Sequence, residues 1–131
     1  MIRLTGALTA LTLMSLAPAA FAEGDAEKGA KVFRKCAACH TVEADGPKRA
    51  GPNLHGVAGR VVGSLEGFAY SNPLKAAGEA GDVWSDEQLD AFLSDPKLMY
   101  KGHKMSFAGL KKADERTDLI AYLHAQAPAA E

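Results

Sequence analysis

Cys36-Ala37-Ala38-Cys39-His40 is the stretch on which the reading of this chain turns. Two thiols three positions apart, followed at once by an imidazole, is the spacing for covalent attachment of a c-type haem. The sulfurs can form thioethers to the haem vinyl groups, and the next side chain can coordinate iron from one face. Cys-x-x-Cys alone also fits half a zinc site, a thioredoxin-like dithiol or a disulfide. A structural zinc site wants four protein ligands, but there is no third cysteine, and His40, His55, His103 and His124 are not at finger-like spacing. A redox dithiol belongs near a strand-helix-strand pattern, and no strand-rich run surrounds Cys36. The haem reading is the one carried forward.

The N-terminus reads as a secretory signal over residues 1–22. Arg3 supplies the positive start, Leu4 to Leu16 a modestly apolar stretch, and Ala20-Phe21-Ala22 a small-x-small cleavage pattern. Thr5, Gly6, Thr9, Thr12 and Ser15 dilute that stretch, whereas a spanning helix needs about 20 predominantly apolar residues. Residues 23–131 then form one small domain that gains from a buried cofactor. Export places the chain in the periplasm, where thiols can meet haem, although it also permits a disulfide. Fifteen Lys and Arg stand against 16 Asp and Glu, a formal charge of −1, so nucleic acid is not an expected partner.

Along the mature chain the periodicity is helical. Asp25 to Ala37 reads as an amphipathic helix with Asp25 as N-cap and Val32 and Phe33 on its apolar face. Gly29 lies one turn before Phe33, where a glycine costs about 1 kcal/mol of helix propensity and so implies close approach of another element. Thr41 to Val62, rich in Gly and Pro, reads as loop. Pro73 to Ala80 is a short helix. Ser85-Asp86-Glu87-Gln88 is a capping box before the stripe Leu89, Phe92, Leu93, and Asp95-Pro96 ends that helix. Asp114 to Ala127 is the last helix, stopped by Pro128. The expectation is an all-α fold of three main helices with one or two short ones and no strand pair.

Four segments then carry a family resemblance. Cys36 to His40, Gly51-Pro52-Asn53-Leu54-His55-Gly56, Lys104-Met105-Ser106-Phe107-Ala108-Gly109 and Asp118-Leu119-Ile120-Ala121-Tyr122-Leu123 occur in the order of class I cytochrome c. The chain resembles the bacterial cytochrome c2 branch, close to mitochondrial cytochrome c, over essentially all of Gly24 to Gln126. The resemblance implies a helical shell around one covalent haem c, its first and last helices crossing, so that Gly29 and Phe33 meet Leu119 and Tyr122.

It also implies site residues. Cys36 and Cys39 attach the haem, and His40 and Met105 are the iron ligands. A neutral thioether binds ferrous iron well and raises the potential relative to two imidazoles. Gly102 before Met105, and Phe107-Ala108-Gly109 after it, make a loop that can present the sulfur, while His103 is a competitor two residues away. Met99 is core filling. The Pro52 carbonyl accepts the other ring N–H of His40, and Arg60, Tyr70 and Trp84 hydrogen-bond the propionates, which need donors if they are buried. His55 is structural and His124 inert. Three departures stand out. Phe92 occupies the place of a tyrosine whose hydroxyl bonds the ligand sulfur in many members. Lys101 and His103 replace the proline and threonine of mitochondrial forms, which implies a softer Met105 loop, a less certain propionate contact and easier displacement of Met105.

The function implied is a monomeric periplasmic carrier of single electrons with no enzymatic activity. Lys35, Lys97, Lys101, Lys104, Lys111 and Lys112 fall in segments that flank the haem edge in the family, with Asp82, Asp86, Glu87 and Asp90 largely elsewhere. Its partners would be redox proteins with acidic docking surfaces: a quinol-cytochrome c oxidoreductase, a photosynthetic reaction centre or a terminal oxidase, with membranes reached only through them. The alternative is a haem enzyme or gas binder, which requires a labile Met105 bond.

Overall fold

Asp25 opens the first helix. Its carboxylate accepts the Glu27 and Lys28 N–H groups at 2.9 and 3.1 Å, and α1 runs Ala26–Phe33. The structure, a computed structural model, describes residues 23–127. The expected signal and the stop at Pro128 lie outside the described residues. α1 ends before Ala37 because the chain tightens into turns, with Cys36 N–H on the Phe33 carbonyl at 2.8 Å.

α2 spans Asn72–Glu79 with Pro73 in its first turn, where the missing N–H costs nothing. α3 spans Asp86–Ser94, and the Ser85 hydroxyl accepts the Gln88 N–H at 3.1 Å. The other half of that capping box is not formed. The Gln88 amide donates to the Tyr100 hydroxyl at 3.0 Å, and the Ser85 N–H goes to the Val83 carbonyl at 2.8 Å. Asp95 ends α3 and caps a four-residue helix, α4, Pro96–Met99. α5 is the longest, Ala113–Gln126, with Asp114 and Glu115 complementing the positive end of its dipole. Among the described residues these are five helices and one isolated bridge, Val61 to Val83. The fold is all-α. None of these helices is long and apolar enough to cross a membrane.

α1 and α5 make the most extensive helix–helix contact. A Cβ on Gly29 would fall on the Asp118 carbonyl and lie 2.7 Å from Tyr122 Cβ. The close approach is therefore real, made by the Asp118 backbone and Tyr122, while Phe33 and Leu119 share the core. Phe33 and Tyr122 pack ring to ring at 5.4 Å, a contact worth about 0.5–1.5 kcal/mol beyond burial. The Asp25 N–H is held by the Asp118 carboxylate at 2.8 Å. Leu119, Ile120 and Leu123 of α5 join Phe33, Val62, Trp84, Leu89, Leu93 and Leu110 in one core.

α5 also grips α3. Arg116 Nε donates to Asp90 at 2.7 Å, and its Nη1 reaches the Leu110 carbonyl at 2.8 Å. His124, expected to be inert, pairs with Asp86 at 2.6 Å. Leu110 N–H donates to the Leu93 carbonyl at 2.7 Å, tying the segment after residue 99 back to α3.

Candidate functional site

The turns after α1 set out the motif. The Cys36 carbonyl accepts both Cys39 N–H and His40 N–H, at 3.1 and 2.9 Å. Two thiols and one imidazole are thereby presented from consecutive turns. Both cysteines are free, Cys36 half-buried and Cys39 exposed. Burial pushes the Cys36 thiol above its ordinary range, with Lys35 opposing that shift and Cys39 adding to it. A redox dithiol wants a stabilised thiolate, so this environment speaks against that reading. No group of three His, Cys, Asp or Glu assembles as a metal cluster among the described residues.

His40 is fixed through its inner nitrogen. Nδ1 lies 2.7 Å from the Pro52 carbonyl. A carbonyl can only accept, so Nδ1 carries the proton and Nε2 keeps a free lone pair. Burial holds the imidazole below the usual histidine range, and the Pro52 bond opposes that shift. The ring is therefore neutral at physiological pH, which a metal ligand must be. Gly51 makes the cradle: a Cβ there would stand 2.5 Å from His40 Cε1. Gly51 N–H on the Cys39 carbonyl and Leu54 N–H on the Thr41 carbonyl, both at 2.8 Å, lock this loop to the motif. His55 does the same with its Nδ1 2.9 Å from the Val42 carbonyl.

Arg60, Tyr70 and Trp84 form a contiguous wall. Arg60 Nη1 and Nη2 donate to the Asn53 and His55 carbonyls at 3.2–3.3 Å. Burial lowers its pKa, with the neighbouring Tyr70 hydroxyl raising it. Tyr70 is buried and its hydroxyl accepts the Leu65 N–H at 3.2 Å. Trp84 is buried too, with its backbone N–H on the Arg60 carbonyl at 2.8 Å. Its ring lies 5.0 Å from Phe92 and 6.1 Å from Tyr100.

The segment after α4 carries His103 and Met105. Tyr100 to His103 is a turn closed by His103 N–H on the Tyr100 carbonyl at 3.1 Å, with Gly102 at φ +89°. Positive φ at the third residue marks a type II turn, in which Lys101 takes the place where proline is favoured. Met105 is half-buried, and its N–H donates to His103 Nδ1 at 3.0 Å. Phe92, which brings no hydroxyl, packs edge-on to the His103 ring at 6.1 Å. Met99 is packed against the core.

Three buried polar atoms have no partner among the described residues: Arg60 Nε, Ser71 Oγ and His103 Nε2. Buried donors of this kind call for an acceptor. Haem carboxylates would supply one to Arg60 Nε. With two free thiols, a neutral imidazole and a thioether, the residues fit a covalent haem. The sequence shows Gly51 and Asn53 only as members of the Gly51–Gly56 segment, with no role of their own, and gives no signal for Ser71.

The Cytochrome c family model matches residues 26–127. A cytochrome c from Gibberella zeae is 50% identical over 103 residues, covering 78% of this chain and 94% of that protein. A cytochrome c2 from Agrobacterium tumefaciens is 44% identical over 101 residues, covering 77% and 91%. The solved structure of cytochrome c2 from Rhodospirillum centenum superposes with a TM-score of 0.76 at 39% identity, covering 80% of this chain and all of that one.

Proposed function

We propose that this chain, which belongs to the cytochrome c family and carries one covalent haem c, uses His40 and Met105 as its axial ligands in a periplasmic electron carrier. Family membership makes it a mono-haem electron carrier; the ligands, the compartment and the partners are our reading. When bound, the haem supplies a single reversible one-electron centre. Cys36 and Cys39 hold it, and Pro52 and Gly51 orient the His40 ring toward it. Met105 would supply the second iron ligand, and that bond would keep small ligands out. Arg60, Tyr70 and Trp84 offer the propionates polar contacts in a largely dry wall.

The observation that carries this reading is His40. Its Nδ1 is committed to Pro52, and its neutral Nε2 is left free beside two unpaired thiols. The test is the visible spectrum of purified protein, with haem expected to stay on the denatured chain. In Met105→Ala the ferric iron–sulfur charge-transfer band disappears. A colourless product, or an unchanged band in that variant, refutes the assignment.

Docking is electrostatic in this proposal. Lys97, Lys101, Lys104 and Lys112 are exposed and have no carboxylate within ion-pair distance among the described residues. Asp86 and Asp90, by contrast, are paired with His124 and Arg116. Partner surfaces would therefore be acidic, as on a quinol-cytochrome c oxidoreductase, a reaction centre or a terminal oxidase. The second-order rate of oxidation by such a partner falls with salt; a rate independent of ionic strength overturns the docking reading. The segment 1–22 is the proposed export signal, checked by the N-terminal sequence of the mature protein, expected to begin at Glu23.

A further inference from the structure

His103 and Met105 compete, by sequence, for one coordination position, and hydrogen-bond logic separates them. A backbone N–H can only donate. With Met105 N–H 3.0 Å from His103 Nδ1, that nitrogen must offer its lone pair. The neutral ring then carries its proton on Nε2, and a protonated nitrogen has no lone pair for iron. Two further contacts restrain the residue: its backbone N–H closes the turn onto the Tyr100 carbonyl, and its ring packs T-shaped with Phe92.

We propose that His103 is a positioning residue for the methionine ligand, tying down the backbone at Met105 while the same bond keeps its own lone pair away from the iron. The proposal rests on the reading of His40 and Met105 as the axial pair. It assigns a role to a residue at which the chain departs from mitochondrial forms. Phe92 offers the sulfur no hydroxyl, so restraint of Met105 falls to its own backbone.

Three variants of the purified haem protein dissect the ring. His103→Asn keeps an acceptor oxygen near the position of Nδ1. His103→Gln keeps a donor near Nε2 and places no acceptor near Nδ1. His103→Ala removes both. The readout is the ferric iron–sulfur band followed against denaturant, with the ligand methyl resonance in NMR of the reduced protein. In Ala and Gln the ratio of sulfur-ligated to displaced protein falls roughly 2- to 10-fold, the scale of one net hydrogen bond. Asn restores it to within about twofold. If Gln behaves as wild type while Asn behaves as Ala, the ring acts through Nε2 and the proposal is overturned. Three variants indistinguishable from wild type overturn it as well. A two-imidazole spectrum in the unaltered protein that is lost in His103→Ala would instead overturn the ligand reading beneath it, which the Met105→Ala variant reports separately.

Discussion

The His40 and Met105 sides of the site are built to different standards. Around His40, every restraint is backbone or backbone-directed: the Cys36 carbonyl takes two N–H groups, Gly51 and Leu54 form rungs to the motif, and Pro52 fixes the ring. Around Met105, a single turn and one side-chain bond do the holding. On the ligation proposed above, a ring must be aimed, whereas a long thioether needs only an anchored backbone, so the lighter construction suffices.

Breaking the stronger side should cost most. Gly51→Val drives a side chain into the His40 ring, and overpacking of this kind costs about 3 kcal/mol. Urea unfolding should show that loss, with a reduced yield of haem protein. Arg60→Leu comes next, because it strips a donor from the Asn53 and His55 carbonyls of the same loop. A loss of about 1–3 kcal/mol is expected from the same unfolding curves.

On the weaker side the effects are smaller. Tyr100→Phe removes a hydroxyl that accepts from Gln88 and donates to Asp82 at 3.3 Å, for about 1 kcal/mol near neutral pH. Burial holds the Tyr100 phenol above its ordinary value of 10.0, opposed by the Gln88 bond and reinforced by Asp82. As pH rises past that value the unfolded chain releases this proton first, so stability is lost through the folded-state pKa. Unfolding curves above pH 10 should be steeper in pH for wild type than for the phenylalanine variant. Lys101→Pro is the smallest change and runs the other way. Lys101 is the second residue of a type II turn, and its N–H donates to no backbone carbonyl among the described residues. The variant should gain about 0.4–1 kcal/mol and hold the iron–sulfur band to higher denaturant. A loss of stability there would mean the turn geometry is not what limits this side.

Much of this was legible in the sequence, and the misses have a common cause. The caps at Asp25 and Ser85, the glycine against α5 and the all-helical pattern are local signals, and they hold. Gln88 leaves its capping box for Tyr100 because a tertiary partner outcompetes a first-turn N–H. His124 finds Asp86, 38 residues away, which no local pattern announces. α1 stops at Phe33 because the chain must turn to present the cysteines, a requirement stronger than the helix propensity of Arg34, Lys35 and Ala37. His103 showed as a competitor for iron, and only the direction of one N–H gave it another part.

The Asp25 N–H is capped from Asp118, 93 residues later. The entry to α1 is therefore satisfied only when α5 is packed against it, and at eight residues α1 alone is too short to persist in water. The bond adds to the α1–α5 contact, the most extensive between helices, so the two ends of the domain are stabilised together. The motif of Cys36 and Cys39 hangs directly from α1, so its placement depends on a bond made 93 residues away in sequence.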